Sequence, residues 1–153
     1  MKLKEIVEQN EEELKAVLEA AFCNAVDHVN MEYSVEIYPD GKIRTLEHSA
    51  GSTFQSYDSW EGKSFVVHTF CFNGLELEIS EEDFRRHMTE EERREVEQIA
   101  ENNGGSFMSA LEGGYKNFCR IYDEAAEEWK SWYKDEYAMS VAEEVINRIY
   151  ETL

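Results

Sequence analysis

The side chains with the clearest capacity for binding chemistry are four short runs of acidic residues. Glutamates three or four residues apart on a helix place their Cβ atoms about 5–6 Å apart. That spacing can imitate a row of phosphates, which rise about 3.4 Å each along one nucleic-acid strand, and so occupy a basic channel. Acids also stabilise the first turn of a helix by offsetting its dipole, and two of the runs follow predicted N-caps. The runs are Glu11-Glu12-Glu13, Glu81-Glu82-Asp83, Glu90-Glu91-Glu92 and Glu127-Glu128.

Three cysteines and four histidines offer a second kind of chemistry, a metal centre. Their spacing is poor for zinc, because the chain contains neither a C-x2-C nor an H-x3-H pair. The best local chelates are Cys23 with Asp27 and Asp83 with His87, each four residues apart on a predicted helix. The second pair extends to Glu91 only if the helix continues past residue 88. Buried thiols and a satisfied core histidine explain the same residues, so we expect no metal and no cofactor.

Nucleophilic catalysis by a thiol–imidazole pair would need Cys71 or Cys119 beside His68. The sequence around these residues matches no nucleophile motif. The chain also has no glycine-rich phosphate loop, no H-E-x-x-H and no G-x-S-x-G. We therefore expect a protein that is not an enzyme.

Aromatic residues crowd the segment WKSWYKDEY, residues 129–137. Trp129 and Trp132 continue an apolar stripe and are expected in the core. Tyr133 and Tyr137, four residues apart, either form an exposed pair or cover the sheet. Tyrosine and tryptophan are favoured anchors in protein interfaces, so the tyrosine pair is a candidate aromatic binding site.

The elements that position these groups begin with a helix over residues 2–29, whose apolar residues recur at three- and four-residue steps. Asn10 falls on the apolar stripe, and with Glu13 three residues later it could cap a second segment, so a kink there is possible. Alternating residues predict strands over 31–37 and 43–47, joined by the turn Pro39-Asp40-Gly41.

A second hairpin is predicted over residues 64–72 and 75–79, because Asn73-Gly74 is the strongest short signal for a type I′ turn. Phe72, Phe70 and His68 would then face Leu75, Leu77 and Ile79 across the turn. The segment from His48 to Gly62 is either a loop or an irregular edge strand. Its Ser/Gly-rich part contains two aromatic residues suited to a binding loop, Tyr57 and Trp60.

The remainder of the chain is predicted to be helical. Ser80 and Thr89 each open a helix with an acidic first turn, and Asn102 to Gly105 stop the second near Glu101. From Ser106 onward, residues at alternating three- and four-residue steps form a seam suited to helix–helix packing, with Gly113-Gly114 weakening it. A break is expected near Lys134–Ala138. The seam comprises Met108, Leu111, Tyr115, Phe118, Tyr122, Ala125, Trp129 and Trp132.

These elements predict a single α+β domain over residues 1–153. Its N-terminal helix is followed by a four-stranded antiparallel sheet of two hairpins, and C-terminal helices pack on one face. With 42% hydrophobic residues the chain can build a core. The N-terminal segment MKLKEIVEQNEEEL lacks the continuous apolar run of a signal peptide. An odd number of widely spaced cysteines favours reduced thiols, so a cytoplasmic location is expected.

The net charge of the chain favours some classes of function over others. The chain has thirty-four acidic and fifteen basic residues, for a net charge of −19. Residues 1–30 carry −4, and residues 31–79, 80–104 and 105–153 carry −5 each. A domain coated evenly in carboxylates repels nucleic acid and membrane surfaces and attracts basic proteins. We therefore expect a basic nucleic-acid-binding protein as partner and no direct binding to nucleic acid or membrane. A homodimer stays open as a further assembly.

One stretch, PDGKIRTLEHSAGSTFQSYDSWEGKSFVVHTF, resembles small proteins carried by phages and mobile elements. By size and acidity the whole chain is similar to phage-encoded anti-defence proteins of the anti-CRISPR and anti-restriction type. The resemblance covers about a fifth of the chain and assigns no functional residue. It implies a non-enzymatic inhibitor bound to a basic host protein.

The sequence thus predicts an inhibitor of a nucleic-acid-binding enzyme, such as a nuclease, that acts through an acidic surface imitating nucleic acid. Its candidate acidic site residues are Glu11, Glu12, Glu13, Glu90, Glu91, Glu92, Glu127 and Glu128. Two alternatives stay open. One is an oligomeric adaptor assembled through the seam, and the other is a metal-stabilised binding protein.

Overall fold

The computed structural model describes residues 2–49 and 64–152, so the predicted binding loop with Tyr57 and Trp60 lies outside the described residues. The α+β class is confirmed, because the described residues form helices and an antiparallel sheet. The elements, in chain order, are α1 (Leu3–Gln9), α2 (Glu11–Asp27), β1 (Met31–Ile37), β2 (Ile43–Ser49), β3 (Phe65–Cys71), a 3-10 turn (Gly74–Glu76), α3 (Glu81–Arg86), α4 (Glu90–Asn103), α5 (Phe107–Glu112) and α6 (Phe118–Thr152).

The chain divides into two compact units. The first unit comprises Met1–Glu76 and Trp132–Leu153, and the second comprises Leu77–Ser131. Helix α6 therefore contributes its beginning to the second unit and its remainder to the first. The prediction of one domain over residues 1–153 stays a prediction.

The predicted break in the N-terminal helix is present at Asn10, between α1 and α2. The capping box with Glu13 is not formed. The Asn10 side chain instead donates a hydrogen bond backwards, from Nδ2 to the carbonyl oxygen of Ile6 at 2.8 Å, and caps no backbone N–H of α2. The same amide lies against the β1–β2 turn, since a Cβ added to Gly41 would sit 2.9 Å from Asn10 Nδ2. Asn10 thus joins the kink to the turn.

The sheet has the strand order β2-β1-β3, and both pairings are antiparallel. The first predicted hairpin is confirmed, with Gly41 at φ +88°, a conformation that glycine adopts without strain. Central strand β1 carries buried residues on both faces. Val35 and Ile37 join the apolar core, whereas Ser34 shares a 2.8 Å hydroxyl hydrogen bond with Thr69. Side chains from α2 complete this core, and Phe22 meets Phe70 edge to face at 6.0 Å between ring centroids.

The predicted fourth strand is wrong, and the sheet has three strands. A type I′ turn needs positive φ at both Asn73 and Gly74, and neither residue adopts it. The Asn73 side-chain oxygen instead accepts the Leu75 N–H at 2.9 Å, and the Asn73 carbonyl accepts the Glu76 N–H, which starts the 3-10 turn. Strand β3 is paired with β1 instead, and Leu75 is 90% exposed.

The second unit is organised by its helix caps. Ser80 and Thr89 both form the predicted capping boxes, with Asp83 and Glu92 as the reciprocal partners. Its core is apolar and continuous. The buried residues of this core are Phe84, Met88, Val96, Phe107, Leu111, Tyr115, Ile121 and Ala125.

The predicted seam is not one helix, and the predicted break near Lys134–Ala138 is absent. The chain leaves α5 at Gly113 and turns through Gly114, whose φ of +116° ends the helix. From Phe118 to Thr152 helix α6 then runs unbroken for 35 residues. Residues 134–138 contain neither glycine nor proline, so no local signal opposes the helix there.

Gly104→Ala should lower the free energy of unfolding by about 1 kcal/mol, because Gly104 ends α4 in the left-handed region at φ +67° and ψ +22°. A Cβ at Gly104 would meet nothing within 4 Å, so the cost is conformational. Gly105→Ala is the matched control, since its added Cβ makes only an ordinary 3.8 Å contact with Ser109. Urea unfolding of both variants checks this, and equal effects would contradict it.

Candidate protein-binding surface

Glu92 is only 7% exposed, so it does not belong to an accessible acidic surface. Its carboxylate makes hydrogen bonds within the second unit. Its Oε1 accepts the Thr89 N–H at 2.9 Å, and its Oε2 accepts hydrogen bonds from Asn117 Nδ2, at 2.9 Å, and from the Arg120 guanidinium. Burial works to raise the pKa of Glu92, but the hydrogen bonds from Thr89, Arg120 and Asn117 outweigh it and lower that pKa to about 2. Glu92 is a structural carboxylate.

Most other acids of the second unit are compensated by neighbouring cations. Glu90 pairs with Arg94 at 2.6 Å, and Glu128 contacts both Arg86, at 2.8 Å, and His87. At least nine of the unit's fifteen acidic side chains lie within 4.0 Å of a basic group. Glu127 belongs to these through Lys130 at 4.0 Å, whereas Glu91 is exposed and has no ion pair within the described chain. Most of this unit's carboxylates therefore already contact a basic group, although several of them share one cation.

The first unit carries a denser and less compensated set of carboxylates on α1 and α2. From Glu5 to Glu19 the sequence contains six glutamates and a single basic residue, Lys15. Lys15 pairs with Glu143 of α6 at 2.9 Å. Across residues 2–49 and 64–152, none of the six forms an ion pair. We call this set, Glu5, Glu8, Glu11, Glu12, Glu13 and Glu19, the α1–α2 acidic row.

A groove of about 290 Å³ runs beside the α1–α2 acidic row. It is lined by Glu11, Glu12 and Lys15 of α2 and by Glu143, Ile146 and Asn147 of α6. Glu11 accepts a 2.9 Å hydrogen bond from the Tyr150 hydroxyl. Burial and this carboxylate raise the pKa of Tyr150 to about 12, so the hydroxyl keeps its proton and remains a donor. The groove has room for a lysine or arginine head group.

The predicted chelates are engaged in other contacts. Asp27 pairs with Lys134 at 2.7 Å, and burial raises the pKa of the Cys23 thiol, which disfavours the thiolate that a metal needs.

In the second predicted chelate, Asp83 accepts hydrogen bonds from the Ser80 N–H in the capping box and from Arg86, and His87 contacts Glu128. Within residues 2–49 and 64–152, no three Asp, Glu, His or Cys side chains are grouped to hold a metal.

The thiol–imidazole pair is not assembled at His68. Cys71 is the third residue after His68 along β3, and this odd separation sends the two side chains to opposite faces of the strand. His68 packs on Phe70, with 4.5 Å between ring centroids, and lines a small apolar cavity of about 170 Å³. Burial and the nearby Arg148 lower the pKa of His68, which favours a neutral ring. Cys119 belongs to the other unit.

The aromatic residues between positions 132 and 137 of α6 have two different environments: one ring packs against the first unit, and two are exposed. Tyr133 stacks on Phe22 at 5.7 Å and meets Phe72 at 5.4 Å, so it fixes the helix to the first unit. Trp132, expected in the core, is 52% exposed, and Tyr137 is 40% exposed. The two exposed rings meet edge to face at 6.0 Å. The residue that faces outward most fully among the α6 hydrophobics is Met139, at 62%, which the sequence did not single out.

A second feature missed by sequence reasoning is a cavity of about 610 Å³ on α4. Ile99 and Tyr115 line it with charged residues around them, including Glu95 and Lys116. The Tyr115 hydroxyl donates to Glu95 at 2.7 Å, and burial and that carboxylate raise the pKa of Tyr115 to about 12. No sequence motif marks this cavity, because the turn at Gly114 creates it.

None of the helices in the described chain combines the length and apolarity of a membrane span. Searches against protein-family models, curated proteins and solved structures found no match to this chain. The geometry of its own residues therefore carries the functional argument.

Proposed function

We propose that this protein is a non-enzymatic inhibitor that binds a basic surface of a nucleic-acid-binding enzyme, such as a nuclease. The observation that carries the proposal is the α1–α2 acidic row, six glutamates with one lysine among them. Glu5, Glu8, Glu12 and Glu13 are exposed, so their carboxylates are open to a partner. An origin among phage-encoded anti-defence proteins, which the sequence resembles, belongs to the same proposal.

The physical basis is competition between carboxylates and phosphates for one set of cations. Glu5 and Glu8, three residues apart on α1, place their Cβ atoms about 5–6 Å apart. Glu12 and Glu13 continue the negative charge on α2, beyond the kink at Asn10, so the row presents carboxylates in series as a nucleic-acid strand presents phosphates. The enzyme's lysine and arginine side chains would pair with the row as they pair with phosphates. Because a protein of net charge −19 repels phosphate backbones, it would act on the enzyme and not on the nucleic acid.

The row is preferred over the acidic runs of the second unit because most carboxylates of those runs already contact a basic side chain. Bringing a partner's arginine to Glu90 or Glu128 would first require the loss of an existing contact, with Arg94 or with Arg86. The glutamates of the row have no such competitor within the described chain. The predicted acidic site is thus narrowed to the Glu11-Glu12-Glu13 run and its neighbours on α1.

Neutralising Glu8, Glu12 and Glu13 together as glutamines should weaken binding to the basic partner about tenfold, because exposed charge pairs contribute roughly 0.5 kcal/mol each. The partner is the basic protein that the immobilised chain retains from the source cell's lysate and releases with salt. Isothermal titration calorimetry measures the affinity. Glu82, Glu101 and Glu112 form the control triple, since they are exposed and unpaired in the described chain and their neutralisation changes the net charge equally.

The control triple should weaken binding less than threefold. Affinity for the partner should also fall as salt rises, because charges are screened within roughly 8–10 Å at physiological ionic strength. Equal losses in the two triples would remove the row from the proposal. An affinity unchanged between low and high salt would contradict binding by charge altogether.

A further inference from the structure

The outward face of α6 in the first unit combines large apolar and acidic side chains. Trp132, Asp135, Glu136, Met139 and Glu143 are all exposed. At 100° per residue they fall within a sector of about 100° on the helix. We call these five residues the acid–aromatic stripe. Most of a tryptophan side chain is normally withdrawn from water, so 52% exposure of Trp132 inside this pattern is characteristic of an interface.

The stripe is held in place by the contacts of other α6 residues. Tyr133 stacks on Phe22, and Lys134 Nζ pairs with Asp27 at 2.7 Å. Farther along, Ala142 and Val145 are buried. Tyr137, which lies outside the stripe, meets the Trp132 ring edge to face. A partner would thus meet an ordered surface and would lose little entropy in arranging it.

The charges of the acid–aromatic stripe indicate which kind of partner binds there. The stripe's ionisable residues are all acidic, and one of them, Glu143, pairs with Lys15. A second copy of the chain would bring another −19 charges against these acids. A cationic and apolar protein segment fits instead, with guanidinium groups stacked on Trp132 or paired with Glu136, and aliphatic groups against Met139.

We infer that the acid–aromatic stripe is the docking site for an arginine-bearing amphipathic segment of the partner protein. This inference rests on the proposed function, which supplies a basic partner, and adds an apolar anchor to it. Charge pairing alone weakens steadily with salt, whereas contacts of Trp132 and Met139 persist when charges are screened.

Two synthetic 14-residue peptides test the inference. One has arginines on one helical side and leucines on the other, and its match has serines in place of the leucines. By calorimetry in 150 mM salt, the arginine–leucine peptide should bind at least tenfold more tightly. Trp132→Ala should weaken that binding about 30-fold, the effect of losing an interface hot spot, and Met139→Ala about threefold. Leu75→Ala, at an apolar residue of the first unit that is still more exposed, should leave it unchanged.

The outcomes separate the two proposals. Equal affinities of the two peptides, with Trp132→Ala and Leu75→Ala behaving alike, would overturn the stripe but leave charge-driven binding intact. Failure of both peptides to bind would overturn both. Light scattering of the chain alone adds a third outcome, since a dimer that Trp132→Ala abolishes would replace the basic partner with a second copy. Met139→Ala keeps the test valid if the tryptophan variant does not fold.

Discussion

Replacing Glu92 with alanine should lower the free energy of unfolding of the second unit by about 2–3 kcal/mol. The substitution leaves the Thr89 N–H and the Asn117 amide without their acceptor, and it removes the buried partner of Arg120. Arg120 keeps Glu124 at 3.2 Å, which limits the loss. Hydrogen exchange of the second unit's core amides measures the change. Glu91→Ala, one residue away and exposed, should stay within about 0.5 kcal/mol.

The pH dependence of the same variant follows from the pKa of Glu92. Its folded value of about 2 lies below the ordinary value of 4.5, so folding favours the ionised carboxylate. The stabilisation is therefore complete above about pH 4.5 and is lost as the pH falls toward 2. Glu92→Ala should flatten the acid limb of the stability curve in this window. Parallel acid limbs for the variant and the parent would contradict the assignment.

Tyr133→Ala should destabilise the first unit by about 3 kcal/mol, because it removes a half-buried ring and its aromatic contacts. The partners lost outside α6 are Phe22, stacked at 5.7 Å, and Phe72 at 5.4 Å. Tyr137→Ala, which removes a 40% exposed ring from the same helix, should cost less than about 1 kcal/mol. Denaturant unfolding followed by circular dichroism measures both.

Tyr133→Phe separates packing from the hydroxyl. We expect a change within about 0.5 kcal/mol, because the stacked ring is retained. A loss as large as that of Tyr133→Ala would assign the stabilisation to the hydroxyl and contradict the anchoring role of the ring. Loss of the anchor should also loosen the acid–aromatic stripe on the other side of α6.

The parts of the fold that the sequence predicted correctly are those decided by neighbouring residues. Capping boxes need only a residue and its third neighbour, and the β1–β2 turn needs only Pro39 to Gly41, so both are confirmed. The Asn73-Gly74 hairpin failed because its outcome depends on a distant strand. Once β3 is paired with β1, the chain beyond Cys71 is free to form the local turn that its asparagine side chain stabilises.

The candidate site was harder to predict because charge compensation is a tertiary property. Glu92 and Glu91 are adjacent in the sequence, yet one is buried against Arg120, 28 positions away, and the other is exposed. Residue spacing alone predicted Trp132 in the core, because the spacing of the predicted seam continues from Met108 to Trp132. In the structure the helix that carries Met108 ends with the C-cap Gly113, and Trp132 lies on the next helix, where it is exposed. The density of glutamates between Glu5 and Glu19, with one lysine among them, was visible in the sequence and marks the row that forms no ion pair within the described residues.

The most direct test of the account is a competition experiment with the basic partner. The partner is captured from the source cell's lysate, eluted by a salt step, identified by mass spectrometry and loaded with labelled nucleic acid. Stoichiometric addition of this protein should release the nucleic acid, and the variant with Glu8, Glu12 and Glu13 neutralised should need about tenfold more. Recovery of the bait alone or of neutral proteins that resist salt, or nucleic acid that stays bound at excess inhibitor, would contradict the account.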